Sequence, residues 1–491
     1  MRSRIPSLSA PLPLLRIELL AGLVVALALI PEAISFSIVA GVDPRVGLYA
    51  SFTMAVTIAI AGGRPAMISA ATGAMALVVV SLVKDYGLEY LLAATILAGA
   101  IQILLGVLGI ARLMRFVPRP VTVGFVNALA ILIFLAQVPQ LRKGGVAGAV
   151  LVVAGLALIL GVPRITKVVP APLVAIVVLT VLVVTGQIDV PNVAGEGSLP
   201  DTLPIPGVPS VPFSFETLKI IAPYSIALAA VGLLESLMTA RIVDDITDTR
   251  SNKDRESSGQ GIANVVTGFF GGMAGCAMIG QTMINVRVSG ARTRLSTFSA
   301  GAFLLILVVA AGSIVGRIPM AALVAVMIIV SVSTFDWHSV QPATLRRMPK
   351  SDTLITLVTV VATVATGNLA IGVGLGVLTA MALFARKVAH VIDIDRVLSA
   401  TGDSVTYTVT GELFFASNQE FIDAFEYHDD PGRVIIDLGQ AHVWDATAVA
   451  ALDAVTERYR THYGTPVTIV GLNPPSEAIH ERLTGQLEGA H

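Results

Sequence analysis

Two short stretches decide how this chain is read: Ile68–Ala76, ISAATGAMA, and Gly275–Met283, GCAMIGQTM. Each opens a short apolar run rich in glycine and alanine, near the depth expected for the middle of a membrane. A helix that begins inside a membrane leaves about four N–H groups unpaired. Unpaired groups in lipid are costly, so they must face a cavity or a ligand. The helix N-terminus also carries about half a positive charge. Two such ends directed at one another cradle an anion without Arg or Lys. Small residues equally permit close helix packing. Their occurrence at matching places in the two halves of the chain selects the cradle.

The surroundings are those of a membrane protein. Of the 491 residues 55% are hydrophobic and only 13% are charged, where a soluble domain has roughly 25%. The shortage is confined to the part before about residue 390. There fourteen apolar runs follow one another: 17–41, 46–62, 69–83, 90–111, 122–138, 145–161, 170–187, 217–243, 260–272, 276–290, 296–316, 319–334, 352–367 and 370–386. The longer runs can cross a hydrocarbon core as helices. The basic, apolar start resembles a signal peptide but lacks a clear small-residue cleavage site, so it reads as a retained first helix. The single cysteine, Cys276, excludes an intrachain disulfide and a multi-thiolate metal site. A net charge of −1 gives no sign of a nucleic-acid partner.

Charge gives an independent check on the runs. With a cytoplasmic N-terminus, 21 Lys and Arg, from Arg2 to Lys387, fall on the cytoplasmic side. Only Arg45, Lys84, Arg142, Lys143, Lys219 and Arg317 fall on the other. This bias obeys the positive-inside rule. It predicts an inner (plasma) membrane protein with both N-terminus and C-terminal domain in the cytoplasm. The expected architecture is an α-helical polytopic protein of fourteen spans. Two inverted seven-span repeats, about 14–187 and 217–387, fill residues 1–390, and a small α/β domain follows at 391–491.

The halves also match in their buried acids. Span 1 carries Pro31-Glu32 and span 8 carries Glu235 within LLESLMTA. Intramembrane carboxylates are costly and usually line ion or proton paths. A paired or protonated glutamate that only locks helices together is the structural alternative. Glu235 and Thr239, four apart, share a helix face. They offer hard oxygens for a small cation such as Na+, with Ala277 and Ile279 completing the candidate ion site; alternatively, Glu235 takes up a proton. Two helix ends supply about one positive charge, and an ionised Glu235 cancels it. The anion therefore needs a cation or proton to enter with it, and a monoanion fits better than a dianion. The sole thiol, Cys276, is placed at the opening of span 10, where the positive helix end would favour a thiolate reached through the pathway; a cysteine packed as a small apolar residue and inert to water-soluble reagents is the structural alternative.

Further motifs carry a resemblance. IPEAISFSIVAGVDPRVGLYASF (Ile30–Phe52), ISAATGAMA, RFVPRPVTVGFVNALAILIFLAQ (Arg115–Gln137) and INVRVSGARTRLST (Ile284–Thr297) resemble the SulP sulfate-permease family over the whole chain. The resemblance implies inverted repeats split into a core and a gate domain, elevator-type alternating access, often a homodimer, and a C-terminal STAS domain similar to anti-sigma-factor antagonists. Such a domain implies a regulatory protein or nucleotide as partner. The family's sodium-dependent bicarbonate transporters share the acid–x–x–x–Thr pattern of Glu235 and Thr239 and hold their anion between the openings of spans 3 and 10, so the resemblance implies an anion site of Ser69, Ala70, Thr72, Gly73, Ala277, Met278 and Ile279, with Gly280, Glu32, Phe36 and Gln281 beside them. This chain departs from them. It has Glu where they have Asp, Ala277-Met278-Ile279 where Gly-Ala-Thr is typical, and Gln281 where much of the family has Arg.

Function follows as secondary active transport of a small inorganic anion, bicarbonate or sulfate, in symport with Na+ or H+. An anion channel, an uncoupled exchanger and a dicarboxylate substrate are the alternatives. The chain has no GxxxxGK[ST] nucleotide loop and no nucleophile–base or metal constellation inside the spans, so it does not read as an enzyme and needs no cofactor beyond a coupling ion. In the tail, SVTYTVTGELFFA (404–416) alternates like a strand pair. VIIDLG (434–439) and PVTIVGL (466–472) read as buried parallel strands, and ALDAVTERYRTHY (451–463) as a helix. Asp445-Ala446-Thr447 falls where STAS antagonists carry a phosphorylated Asp-Ser-Ser, which makes Thr447 either a phosphate acceptor or a loop residue holding a turn.

Overall fold

The computed structural model describes residues 12–109, 117–165, 170–389 and 392–485. Arg2, Arg4, Arg112, Arg115 and Lys167 of the charge count, and the start of the Arg115–Gln137 motif, lie outside the described residues. The chain forms two compact units, Met1–Val377 and Leu378–His491.

In the first unit the helices α1 (Leu12–Ala40) and α2 (Pro44–Ala61) lead into a short strand, β1 (Ser69–Ala71), and α3 (Gly73–Tyr86). Then come α4 (Leu88–Val107), α5 (Arg119–Lys143), α6 (Gly145–Gly161), α7 (Ala171–Thr185), α8 (Phe215–Thr247) and α9 (Lys253–Phe269). A second short strand, β2 (Gly275–Ala277), leads into α10 (Ile279–Met283), which continues as a π-turn, Ile284–Val288. Then follow α11 (Arg294–Val315), α12 (Met320–Thr334), the short α13 (Pro342–Arg347) and α14 (Lys350–Thr366), and α15 (Leu369–Ala389) begins in this unit and continues into the second. Each apolar run contains one of these helices, and among the described residues eight are long and apolar enough to cross a membrane. Large apolar side chains that stand exposed, such as Val107, Val146 and Val153, suit a lipid solvent.

The helices pack in two groups. In one, α4 lies on α8 and α9, α2 on α9 and α11, and α1 on α2, α3 and α11. In the other, α5 lies on α12 and α14, and α6 on α7 and α12. Contacts of α1 with α12 and of α3 with α5 join them. The α4–α9 crossing is close because neither helix has a side chain there. A Cβ at Gly99 would meet the Gly261 carbonyl oxygen at 2.6 Å, and one at Gly261 would meet the Gly99 oxygen at 2.5 Å.

Two readings of the sequence need correction. Helix α9 begins at Lys253, seven residues before the apolar run at 260, because its polar side chains Glu256, Ser257, Gln260 and Asn264 are buried and not solvated. Hydropathy cannot see a polar group whose partner lies inside the protein. For the same reason Arg64 and Arg294, counted as orienting charges, also act as internal staples. Arg64 is buried and pairs with Asp244 at 3.0 Å, and Arg294 donates to the carbonyls of Ala59 and Gly62.

The second unit holds a four-stranded sheet in the order β3 (Asp393–Leu398), β4 (Val405–Leu413), β5 (Val434–Val443), β6 (Val467–Val470), with α16 (Asn418–Asp423), α17 (Ala446–Arg458) and α18 (Pro474–Leu483). Strands β4, β5 and β6 run parallel, and β3 pairs antiparallel with β4. The expected strand pair within 404–416 is one strand. Gly411 stays in register opposite Ala441. At the core's edge Asp430, with its side chain 1% exposed, accepts from Tyr407 at 2.7 Å, from Tyr459 and from Arg396 at 2.9 Å. Burial first, and the Asp430 hydrogen bond second, raise the Tyr459 phenol above its ordinary range.

Candidate functional site

Strands β1 and β2 pair antiparallel, with Ser69 opposite Ala277, Ala70 opposite Cys276 and Ala71 opposite Gly275. All six residues are buried. Thr72 caps α3, its hydroxyl accepting the Met75 N–H at 3.3 Å, and Met278 precedes α10. Because the strands are antiparallel, the two helices leave from opposite ends of the pair and run apart, with both N-termini at the strand pair.

A two-stranded ribbon inside a bundle has two open edges, and buried backbone groups must be paired. Side chains from neighbouring helices do this. Asn264 of α9 accepts from the Gly275 N–H at 2.8 Å and donates to the Gly275 carbonyl at 3.0 Å. The Ser236 hydroxyl of α8 accepts from Ala277 N–H at 3.0 Å, that of Thr282 from Ile68 N–H at 3.0 Å, and that of Ser51 from Ala71 N–H at 3.3 Å. Sequence reasoning missed these four. The available signal was Gln260 and Asn264, two amides spaced four apart in an apolar run.

The residues expected to hold the anion divide into packed and open ones. The Ser69 hydroxyl, fully buried, accepts from Gln260 at 2.7 Å and is tied to α9. Thr72 bonds the Cys276 sulfur at 3.2 Å. A Cβ at Gly73 would meet the Phe36 ring at 2.8 Å and Ile133 at 3.1 Å, so these two side chains close over the start of α3. Ile133 was not foreseen. Gln281 donates to Glu32 at 2.9 Å, while its own carbonyl oxygen is buried without a partner. At Gly280, which is exposed, a Cβ would meet nothing within 4 Å. A cavity of about 390 Å³ lies between α1, α3, α5 and α12, lined by Val39, Leu77, Gln137 and Met320 among others. Val39, Leu77 and Gln137 are three or four residues from Phe36, Gly73 and Ile133, so the cavity ends within one helical turn of the start of α3.

Helix α8 passes beside β2. Glu235, only 8% exposed, accepts from the Cys276 thiol at 3.0 Å. Thr239 donates its hydroxyl to the Glu235 backbone carbonyl at 2.8 Å, so it does not bond the carboxylate whose helix face it shares. That bond is the ordinary way a mid-helix threonine satisfies itself. Ala277 is buried with Met67 and Ala240, and Ile279 is partly buried. The expectation for Cys276 also needs correction. It sits on β2 and not in the first turn of α10, it is fully buried, and it is held between Glu235 and Thr72. The strand pairing that sequence alone did not reveal is what turns it inward. Among the residues named here none is Lys or Arg. In the second unit Asp445 caps α17, accepting from Ala448 N–H at 2.9 Å and from Phe415 N–H at 2.9 Å, and Thr447 stands exposed in the first turn.

The chain is similar to known proteins. The profile of the sulfate permease family matches residues 15–149 and 140–359, and that of the STAS domain matches 395–485. YbaR of Bacillus subtilis (strain 168), provisionally named a sulfate transporter, is 53% identical over 96% of this chain and 97% of its own length. The bicarbonate transporter BicA of Picosynechococcus is 26% identical over 97% of this chain and 89% of its own. The structure of the murine anion transporter Slc26a9, in the inward-facing state, superposes with a TM-score of 0.84 over 96% of this chain and 88% of that one at 16% identity, a likeness of fold. Family profile, close relative and fold agree: the chain is a multi-pass membrane transporter of the sulfate permease family with a C-terminal STAS domain.

Proposed function

We propose that the chain is a secondary active transporter that moves bicarbonate or sulfate into the cell together with Na+ or H+. The observation that carries this reading is the buried, antiparallel β1–β2 pair, which brings the N-termini of α3 and α10 to one place in the bundle. The anion binds there, against the small residues Ala70, Gly73, Ala277 and Gly280, with Thr72, Met278, Ile279 and Gln281 around it and Glu32 and Phe36 on the α1 side. The site side chains include no fixed positive charge, so an anion draws on the helix ends alone. The buried Glu235 opposes it until a cation or proton arrives. That balance favours a monoanion, and bicarbonate is the monoanion of the two substrates.

The two packing groups act as core and gate, and the core carries the site across the membrane in an elevator-type motion. The transporter works as a homodimer in the inner membrane, with its N-terminus and STAS domain in the cytoplasm. The STAS domain, with Thr447 exposed at a helix start, receives a regulatory protein or nucleotide.

The test is Glu235→Gln in proteoliposomes. The variant should lose gradient-driven accumulation while still exchanging labelled anion across the membrane. Accumulation at the wild-type rate, with the same cation dependence, would remove Glu235 from coupling.

A further inference from the structure

We propose that Gln281 selects the transported anion for an O–H group: its side-chain oxygen accepts the hydroxyl of a protonated oxyanion such as bicarbonate, and an anion with lone pairs alone, such as nitrate or sulfate, is disfavoured there. This rests on the reading that the anion binds beside the β1–β2 pair, and it names the substrate class of that site.

Gln281 is only 3% exposed. Its amide nitrogen donates to Glu32 Oε1 at 2.9 Å. A carboxylate only accepts, so the nitrogen faces Glu32 and the amide oxygen is left over. That oxygen is buried and has no partner. Folded proteins leave few buried acceptors unpaired, because each has given up the hydrogen bond it had in water. Donors on the same two helical segments are spent elsewhere. The Ser35 hydroxyl donates to the Pro31 carbonyl at 2.7 Å and that of Thr282 to the Ile68 carbonyl at 3.5 Å. The Asn285 amide donates to the Ala66 carbonyl at 2.8 Å and to the Ser296 hydroxyl at 2.9 Å. The missing donor is one that a ligand brings.

The cavity leads toward this atom. On α1, Glu32, Ser35, Phe36 and Val39 share one helix face. Ser35 and Val39 line the cavity of about 390 Å³, so its α1 wall comes within one turn of Glu32 and its partner Gln281. Beside Gln281, Gly280 is exposed. Bicarbonate and nitrate differ at this place by one atom. Both are planar and singly charged, with three oxygens about one centre, but only bicarbonate carries a hydrogen. Against the Gln281 oxygen its O–H makes a hydrogen bond, where nitrate sets lone pairs against lone pairs. The Gln281 nitrogen has a second hydrogen, so the same amide offers an acceptor to the hydroxyl and a donor to a neighbouring oxygen of the anion. The Glu32 carboxylate, itself an acceptor, acts in the same sense. Sulfate fails twice, having no hydrogen and a double charge. A site built to bond a substrate hydroxyl rejects the analogue that lacks it, because its own buried group is then left unpaired.

The experiment compares anions at constant pH. Purified full-length protein in liposomes takes up labelled bicarbonate, and unlabelled bicarbonate or nitrate competes. In the wild type, half-inhibition should need about tenfold more nitrate than bicarbonate, the worth of one hydrogen bond to a buried acceptor. Gln281→Met, similar in length but without the acceptor, should bring the two concentrations together, chiefly by weakening bicarbonate. Gln281→Asn keeps the amide but draws it back by one carbon, and it should lose the preference as well; it serves if the Met variant does not fold. A role in stability alone would lower the unfolding midpoint and leave the ratio of the two anions untouched. Equal inhibition by nitrate and bicarbonate in the wild type would overturn the selection, as would a wild-type ratio in either folded variant. If that ratio persists while Gly73→Ala weakens both anions, the site stands and Gln281 does not select. If Gly73→Ala changes neither anion, the placement of the site falls and the selection falls with it.

Discussion

Gln281 in the first turn of α10 donates to Glu32 at 2.9 Å and so ties that turn to the proline-bearing middle of α1. Replacing it by Leu leaves a largely buried carboxylate without its donor. Gln281→Leu should lower stability in detergent by about 1–3 kcal/mol, read as a lower midpoint of thermal unfolding. An unchanged midpoint would mean that the contact contributes nothing.

The start of α3 is crowded by side-chain tips, not by backbone. A Cβ at Gly73 would press on the Phe36 ring and on Ile133. Gly73→Ala should therefore insert and fold but cut anion uptake about tenfold, since overpacking by one methyl displaces what lines the site. Wild-type uptake by the variant would place the anion elsewhere.

The start of α10 is open where that of α3 is closed. Cys276 should resist water-soluble thiol reagents in the folded protein because it is fully buried. Gly280→Cys in a Cys276→Ser background should react readily, and transported anion should slow the reaction. Labelling rates with and without bicarbonate check both statements. Rapid labelling at position 280 that no transported anion changes would contradict the placement of the site.

Much of this was legible because lipid imposes simple rules. Run lengths found the helices, and the small-residue openings marked where α3 and α10 begin. The strands β1 and β2 were not legible. Three residues are too few to show alternation, and Ser69-Ala70-Ala71 and Gly275-Cys276-Ala277 have little strand propensity; their edges are closed by Asn264, Ser236, Thr282 and Ser51 from elsewhere in the chain. Glu235 was singled out by its isolation in an apolar run. Its partner could not be, since Cys276 is 41 residues away and reaches it only through the strand pairing.

The STAS domain has its own buried acid. Asp430 accepts from two tyrosines on one oxygen and from Arg396 on the other, so an Asn, which keeps one acceptor and turns the other into a donor, leaves either Arg396 or both tyrosines short of an acceptor. Asp430→Asn should destabilise this domain by about 2–4 kcal/mol. Anion uptake should persist at a changed rate, as it should after truncation near residue 390, because every apolar run precedes the domain. Calorimetry of the full chain, with uptake measured in parallel, checks both halves. Complete loss of uptake in a correctly inserted, dimeric truncation would make the domain part of the transport machinery.

The central claim is that anion movement is driven by a coupled cation or proton. Purified wild-type protein in liposomes, supplied with labelled bicarbonate or sulfate and an inward gradient of Na+ or of protons imposed one at a time, tests it most directly. The account predicts internal anion rising well above the equilibrium level under one of the two gradients, and collapsing when that gradient is dissipated. Equilibration of both anions to the same level with or without either gradient would contradict it.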